Sequence, residues 1–287
     1  MRLLVTADLH YNHARSKPLA IDLIERMNRA GGDGVLVIGD TAASDGAVIE
    51  ECLAHFTLPG PRLFLCGNHE LWTRDDDSHA LFTRDLPKRI AGIGWQWLET
   101  QPLIARGFAV VGTVGWYDYS FASERLAIPR RFYQAKVSPG AAEYLRRTDL
   151  LEDSADLPPG ALDIVARWND GKFVKLHRSD ETFLDECLAR LEAHLEGASA
   201  LPQVLVATHH LPFRELLPPP RYSQIEFAKA YLGSARLGEL IRRYNNVRRV
   251  YCGHSHFGVS ARVGDIRATN IGSTYRWKTF DTVDLED

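Results

Sequence analysis

Leu65-Cys66-Gly67-Asn68-His69-Glu70 is the stretch of this sequence that best indicates its architecture. The apolar run Arg62-Leu63-Phe64-Leu65-Cys66 predicts a short buried strand, and the glycine that follows ends it. An amide, an imidazole and a carboxylate come next. Polar side chains of this kind at the end of a buried strand indicate that a functional site is built there.

Four other segments repeat this arrangement of an apolar strand followed by polar side chains. They are Leu3 to Ala7 before Asp8-Leu9-His10, Gly34 to Ile38 before Gly39-Asp40, Val204 to Thr208 before His209-His210, and Arg248 to Cys252 before Gly253-His254-Ser255-His256. Open α/β sheets bind ligands at the carboxyl ends of their strands. The five segments together therefore predict one site at one edge of a sheet.

The segments between these strands predict an α/β fold. Apolar residues recur at helical spacing from Pro18 to Ala30, which joins the first two strands into a βαβ unit of a parallel sheet. Similar spacing predicts helices over Gly46 to Phe56, Ser179 to Leu195, and about Ala235 to Tyr244. Further strands are predicted within Ile93 to Leu98, Pro102 to Gly112, and Val263 to Val283, the last with a hairpin turn at Gly264-Asp265.

The length of 287 residues fits a single large domain, residues 1–287, with an insertion. The strand pattern is absent from about residue 120 to residue 175, where the sequence contains Arg130-Arg131, Arg146-Arg147 and the acidic, proline-containing stretch Glu152 to Gly160. We expect this segment to be the insertion, or a cap over the site, because such loops commonly carry specificity.

Composition excludes several classes of protein. A formal net charge of −3 argues against a non-specific nucleic-acid binder, which needs a basic surface. The four cysteines show no CxxC spacing, so neither a zinc ribbon nor a disulfide framework is indicated, and reduced thiols in a cytoplasmic protein fit best. No signal-peptide pattern is present, and no apolar run approaches the roughly 18 to 20 residues that cross a membrane.

The strand ends offer aspartate, asparagine and histidine side chains but no cysteine. Such oxygen and imidazole ligands suit zinc, manganese or iron, and two such ions about 3.5 to 4 Å apart can share one carboxylate. The acidic run Asp75-Asp76-Asp77 is expected to lie in a solvated loop rather than at a second metal site.

Taken in order, these motifs resemble the calcineurin-like metallophosphoesterase superfamily. The resemblance rests on Asp8-Leu9-His10, Gly39-Asp40, Gly67-Asn68-His69-Glu70, a histidine at a later strand end, and Gly253-His254-Ser255-His256. Together the motifs span residues 8 to 256, which is most of the chain. The fold that this resemblance implies has two packed mixed β-sheets flanked by helices, a four-layer αββα sandwich.

The resemblance also implies two divalent metal ions and assigns their ligands. One ion would be held by Asp8, His10 and His256, Asp40 would bridge the pair, and Asn68, His209 and His254 would hold the other. His69 would be catalytic, contacting the phosphate and helping the leaving oxygen to depart. His209 and His210 are alternatives for one ligand, and we expect His209. The candidate substrate-binding residues are His210, Tyr117, Arg130 and Arg131.

The implied function is a dinuclear metal-dependent phosphoesterase that hydrolyses a phosphodiester or phosphomonoester by attack of a metal-bridging hydroxide. A small-molecule substrate is favoured, and a nuclease or a non-catalytic scaffold of the same fold are the alternatives. A nuclease should show a basic groove, of which the two arginine pairs give only a hint; a scaffold should lack ligands, and every position is filled. Protein serine/threonine phosphatases read GDxxDRG, whereas Thr41-Ala42-Ala43-Ser44-Asp45-Gly46 follows Gly39-Asp40 here.

Overall fold

The computed structural model describes residues 1–43, 46–74 and 77–286. The strands in this part of the chain are β1 Arg2–Ala7, β2 Gly34–Ile38, β3 Arg62–Leu65, β4 Gln96–Trp97, β5 Leu103–Ile104, β6 Phe108–Thr113, β7 Gln203–Thr208, β8 Val247–Cys252, β9 Val259–Val263, β10 Ile266–Asn270 and β11 Phe280–Asp284. Asp75 and Asp76 of the predicted acidic loop lie outside the described residues.

The α-helices are mostly short, apart from two long ones that flank the sheets. Their bounds are α1 Lys17–Ala30, α2 Gly46–Ala54, α3 Ser78–Ala80, α4 Leu86–Gly92, α5 Arg130–Gln134, α6 Pro139–Tyr144, α7 Thr148–Leu151, α8 Asp170–Phe173, α9 Asp180–Gly197, α10 Ser223–Ala228 and α11 Ala235–Arg242. A π-helical stretch, Leu81–Asp85, joins α3 to α4. The hydroxyl of Ser179 caps α9 by accepting from the backbone N–H of Thr182 at 3.1 Å, as the sequence predicts.

Two mixed sheets form the middle of the molecule. The first has the strand order β11-β1-β2-β3-β4, in which β11 is antiparallel to β1 and the other neighbours are parallel. The second has the order β5-β6-β7-β8-β10-β9, parallel from β6 to β10 with an antiparallel strand at each edge. The turn at Gly264-Asp265 joins β9 to β10 as predicted.

Side chains point alternately to the two faces of each strand, and this divides the core into three layers. Leu3 and Val5 of β1 pack with Leu205 of β7 in a cluster between the two sheets. Leu4 of the same strand faces the other way, toward α1 and α2, and Val206 of β7 faces α9 and α11. Because successive side chains of a strand point to opposite faces, each sheet buries both faces. The predicted four-layer αββα sandwich is confirmed.

The region after α4 differs from its predicted strands. The sequence predicts a strand within Ile93 to Leu98, but α4 continues to Gly92 and a turn follows at Gly94, where φ is +76°. Only Gln96–Trp97 pairs as β4. The predicted strand Pro102 to Gly112 is instead a hairpin of β5 and β6, because the chain turns between Ile104 and Phe108.

Residues 120–175 form short helices and turns, and they are packed rather than loose. Phe132, Tyr133, Ala142 and Ile164 are buried in the same cluster as α1. All four cysteines are buried free thiols. In the described part of the chain, no helix has both the length and the apolar character that a membrane span would need.

Candidate metal centre

The polar side chains that follow five of the strands meet at one end of the sandwich. The first sheet supplies those after β1, β2 and β3, and the second supplies those after β7 and β8. Hydrogen bonds join the two sheets here, among them one from the backbone N–H of His254 to Oδ1 of Asp8 at 2.9 Å. The candidate ligands gathered here are Asp8, His10, Asp40, Asn68, His209, His254 and His256.

Four of these residues form a first group. One ligand atom each from Asp8, His10, Asp40 and His256 lies within 4.8 Å of the others. The Nε2 atoms of His10 and His256 are 3.0 Å apart, and Nε2 of His256 is 3.7 Å from Oδ1 of Asp8. Nε2 of His10 is 3.8 Å from Oδ2 of Asp40. Two imidazoles and two carboxylates that face one another so closely can hold a divalent cation.

A second group shares Asp40 with the first. Nε2 of His209 is 3.2 Å from Oδ1 of Asp40 and 3.1 Å from Nδ1 of His254. The side-chain oxygen of Asn68 is 3.2 Å from the same Nε2 atom. Oδ2 of Asp40 thus faces the first group and Oδ1 faces the second. A carboxylate placed between two ligand sets is the arrangement that two neighbouring ions require.

His209 and His210 point in different directions. The His209 ring belongs to the second group, whereas Nδ1 of His210 lies 3.0 Å from the carbonyl oxygen of Val114, to which it donates. The His210 ring packs against Trp116, with 4.9 Å between ring centroids. The structure therefore brings His209, and not His210, to the ligand cluster.

The protonation of the cluster fits metal binding. Burial lowers the pKa of His10 and His254 well below the usual imidazole range, and lowers that of His256 to about 4. These rings are neutral near pH 7 and have a lone pair to offer. Burial lowers the pKa of His209 as well, but the negative charge of Asp40 raises it by more, and the result is a pKa of about 9. The site thus favours a positive charge beside Asp40, which a divalent cation would supply.

The backbone at the candidate ligands is unusual. Five of the seven have the left-handed conformation that side chains other than glycine rarely adopt. The φ angles are 56° at Asp8, 44° at His10, 52° at Asp40, 68° at His254 and 55° at His256. Backbone in sparsely populated regions clusters at functional sites, where the surrounding structure holds it in place.

Two glycines beside the ligands leave no room for a side chain. A Cβ atom on Gly67 would lie 2.3 Å from Oδ1 of Asp40 and 2.8 Å from Nε2 of His209. A Cβ atom on Gly253 would lie 2.5 Å from Oδ2 of Asp8. These contacts explain why a glycine precedes Asn68 and His254: any larger residue would displace a ligand.

Glu70 has a structural role that the sequence reasoning missed. Its carboxylate is fully buried and accepts from the backbone N–H groups of Asp40, Thr41, Ala42 and Gly67, at 2.9, 2.6, 3.1 and 2.7 Å. Glu70 thereby fixes the loops after β2 and β3 relative to each other. The sequence signal that could have indicated this role is the carboxylate directly after the Gly67-Asn68-His69 motif.

A cleft of about 350 Å³ opens over the two groups. Asp40, Asn68, His254 and His256 are the candidate ligands that line it. His69 also lines the cleft, with Nε2 3.7 Å from Oδ2 of Asp40. The remaining lining residues are Trp72, Arg167, Trp168, Asn169, Pro218, Ile225, Ala228, Leu232, Ser255 and Tyr275. The cleft lining therefore includes both charged and apolar side chains.

The other sequence-predicted contacts lie outside this cleft. Arg130 pairs with Glu181 at 2.7 Å, and Arg131 pairs with Asp156 at 2.5 Å. Tyr117 is buried behind the cleft, where its hydroxyl donates to the Asp170 carboxylate. The cleft is lined instead by Arg167, Trp168 and Tyr275, which no motif marks.

The model of the calcineurin-like phosphoesterase family matches residues 1–258. The chain belongs to this family. All seven candidate ligands and His69 fall within the region that the calcineurin-like phosphoesterase model covers, while Tyr275, whose ring stacks on His10 with 4.3 Å between centroids, lies beyond it. No protein of curated function matches the sequence.

Solved structures agree with this calcineurin-like phosphoesterase fold. A phosphopantetheinyl hydrolase from Mycobacterium tuberculosis superposes with a TM-score of 0.69 at 22% identity, over 96% of this chain and 89% of the other. A dimetal phosphatase from Danio rerio gives a TM-score of 0.53 at 16% identity, over 98% and 91%. At such identities the likeness concerns the fold alone.

Proposed function

We propose that this protein is a hydrolase of small-molecule phosphoesters that uses two divalent metal ions, held by Asp8, His10 and His256 on one side and by Asn68, His209 and His254 on the other. The observation that carries the proposal is Asp40, which turns one oxygen to each group. When bound, such a pair of ions activates water and neutralises phosphate charge. Manganese, zinc or iron suits this donor set.

For His69 we propose contact with the substrate rather than with a metal. Its backbone N–H donates to Oδ1 of Asp40 at 3.0 Å, which fixes the residue beside the shared carboxylate. Its ring is stacked on Trp72, with 3.7 Å between centroids, and lines the cleft. An imidazole held rigidly above the shared carboxylate can contact a phosphate oxygen and give a proton to the departing oxygen.

Arg167 is the cleft residue best suited to an anionic substrate. It is exposed, lines the cleft, and has no carboxylate partner among residues 1–43, 46–74 and 77–286. A guanidinium without a partner at the mouth of a phosphoester site can form charge-assisted hydrogen bonds to substrate oxygens. The apolar part of the cleft lining, which includes Pro218, Ile225 and Leu232, suits a substrate whose esterified group is apolar or aromatic.

The charges of residues 120–175 favour a small molecule over nucleic acid. Arg130, Arg131 and Arg147 are each paired with a carboxylate, at 2.7, 2.5 and 2.6 Å. These arginines therefore do not form the continuous basic groove that a nuclease needs to replace phosphate counterions. The whole cleft, at about 350 Å³, is of the size that binds small ligands.

Metal content and ester hydrolysis test the proposal together. We expect about two metal ions per chain by mass spectrometry, and turnover of bis-p-nitrophenyl phosphate or p-nitrophenyl phosphate when Mn²⁺ is added. Comparing the two esters assigns the preference for diesters or monoesters. A protein that binds no metal and cleaves neither ester would overturn the proposal and favour a scaffold of the same fold.

Replacement of Arg167 by alanine is expected to weaken substrate binding. Loss of one charge-assisted contact should raise KM by about tenfold or more and change kcat little. The informative comparison is Arg130→Ala, because the sequence analysis names Arg130 as a candidate substrate-binding residue while the structure pairs it with Glu181. If Arg130→Ala raises KM and Arg167→Ala does not, the placement of the substrate beside Arg167 is wrong.

A further inference from the structure

Asp170 is a buried carboxylate that accepts four side-chain hydrogen bonds. Oδ1 accepts from Nδ2 of Asn68 at 2.9 Å and from the indole N–H of Trp72 at 2.6 Å. Oδ2 accepts from the hydroxyl of Tyr117 at 3.0 Å and from the indole N–H of Trp168 at 2.7 Å. The residue is only 1% exposed. Every donor in this arrangement is neutral, so no cation explains the presence of the carboxylate.

The bond to Asn68 decides which way the Asn68 amide faces. An amide has an oxygen on one side and an NH2 group on the other, and only the oxygen can bind a metal ion. Because a carboxylate only accepts, Asp170 holds the NH2 group of Asn68 and turns the oxygen toward His209. The reverse orientation would place two acceptors against each other and two donors toward the ligand cluster.

We propose that Asp170 is a positioning residue of the metal centre. Asp170 orients the Asn68 amide so that its oxygen can bind a metal ion, and the same carboxylate holds the cleft residues Trp72 and Trp168 by hydrogen bonds. This inference rests on the proposed function, since it takes Asn68 to be a ligand. A carboxylate that hydrogen-bonds to a metal ligand without touching the metal typically raises the metal affinity by about 10-fold to 100-fold.

The position of Asp170 in the chain gives residues 120–175 a second role. Asp170 is the first residue of α8, and Trp168 lies two residues before it. Trp168 and Trp72 both line the cleft, so one carboxylate holds a metal ligand and two cleft walls. The segment predicted as an insertion or cap thus supplies part of the support for the metal centre, and not only the surface above it.

Asp170→Asn should turn Asn68 around. Four donors surround residue 170, and an asparagine there has only one oxygen, so its NH2 group must face two of them. With its oxygen toward Tyr117 and Trp168, its NH2 group meets the Trp72 indole N–H, which cannot accept, and Asn68, whose amide rotates to accept. The Asn68 NH2 group would in turn face His209, and the oxygen ligand would be lost from the second group.

The experiment measures Mn²⁺ binding to full-length protein stripped of metal with a chelator. For Asp170→Asn we expect an affinity for the second ion about 10-fold to 100-fold weaker than in the wild type, with the first ion retained. The double variant that exchanges the two residues, Asn68→Asp with Asp170→Asn, should restore binding. In this variant the NH2 group of residue 170 donates to one carboxylate oxygen of residue 68, and the other oxygen of residue 68 remains free to bind the metal ion. Asn68→Asp alone sets two carboxylates against each other and should bind more weakly than the exchange variant.

Asp180→Asn is the matched control. Asp180 is also buried and accepts from the Trp116 indole, the Tyr119 hydroxyl and the Lys136 ammonium, but it contacts no candidate ligand. Its asparagine variant should lower the melting temperature of the metal-free protein and leave Mn²⁺ affinity unchanged. The melting temperature of each variant therefore separates a general loss of packing from a specific loss of the ligand.

The outcomes distinguish this inference from the proposed function. Wild-type protein that binds no Mn²⁺ would contradict the function itself. Wild-type protein that binds two ions, with Asp170→Asn binding both as tightly, would overturn the role of Asp170 and leave the function standing. If Asp170→Asn does not fold, the comparison of Asn68→Asp with the exchange variant decides, and equal affinities would refute the inference.

Discussion

Asp40→Asn is expected to remove metal from both groups and to lower hydrolysis by at least about 10³-fold, since it takes away the only carboxylate that the groups share and with it the stabilisation of phosphate charge. Oδ1 of Asp40 is 3.2 Å from Nε2 of His209, and Oδ2 is 3.8 Å from Nε2 of His10. An asparagine has the same shape but only one oxygen. Its NH2 group would therefore face one of the two groups as a donor.

The measurement is metal content per chain in Asp40→Asn, with circular dichroism to establish that the variant is folded. Asp180→Asn is again the control, as it makes the same chemical change at a buried carboxylate away from the ligands. Two ions per chain in Asp40→Asn would contradict the shared-ligand assignment. Loss of metal from Asp180→Asn would show that the effect comes from the fold and not from the centre.

His69→Gln is expected to keep its metal and lose turnover by about 10² to 10⁴, the usual contribution of a general acid or base. The ring lies beside the centre, 3.7 Å from Oδ2 of Asp40, but is not part of either ligand group. Its place on the cleft wall points to contact with substrate. Metal content and kcat, measured on the same preparation, separate His69 from the ligands.

The leaving group tests what His69 does. If the imidazole protonates the departing oxygen, the loss in His69→Gln should be larger for alkyl phosphoesters than for p-nitrophenyl esters, because nitrophenolate leaves without a proton. An equal loss for both would indicate a contact with the phosphate only. His79→Gln is the control, since His79 lies outside the cleft and pairs with Glu186; loss of metal from His69→Gln would make His69 a ligand.

The fold and the ligand cluster could be predicted because their signals are local. Each candidate ligand follows an apolar strand by at most a few residues, as Asp8 follows β1 and Asp40 follows β2. In a parallel sheet, strand ends meet at one edge whatever the intervening sequence. These local signals predict the α/β sheet and the edge where the site lies, whereas the αββα sandwich was predicted from the resemblance to the calcineurin-like family.

The supporting and substrate-facing residues could not be predicted because their partners are distant in sequence. Asp170 is 102 residues from Asn68 and 98 from Trp72, and no periodicity marks it. Arg167 lines the cleft, whereas Arg130 lies outside it and pairs with Glu181, and both facts depend on tertiary structure. His209 was the expected ligand of the two adjacent histidines, and the structure adds the ring orientations, since both residues follow β7 directly.

The left-handed backbone at five candidate ligands has a consequence for stability. At Asp8, His10, Asp40, His254 and His256 this conformation costs about 1–2 kcal/mol per residue, and glycine would avoid most of that cost. Replacement of these residues by glycine would relieve that cost but would remove five of the seven candidate ligands. The same five side chains are therefore expected to lower the free energy of unfolding and to be the ones that a metal ion needs.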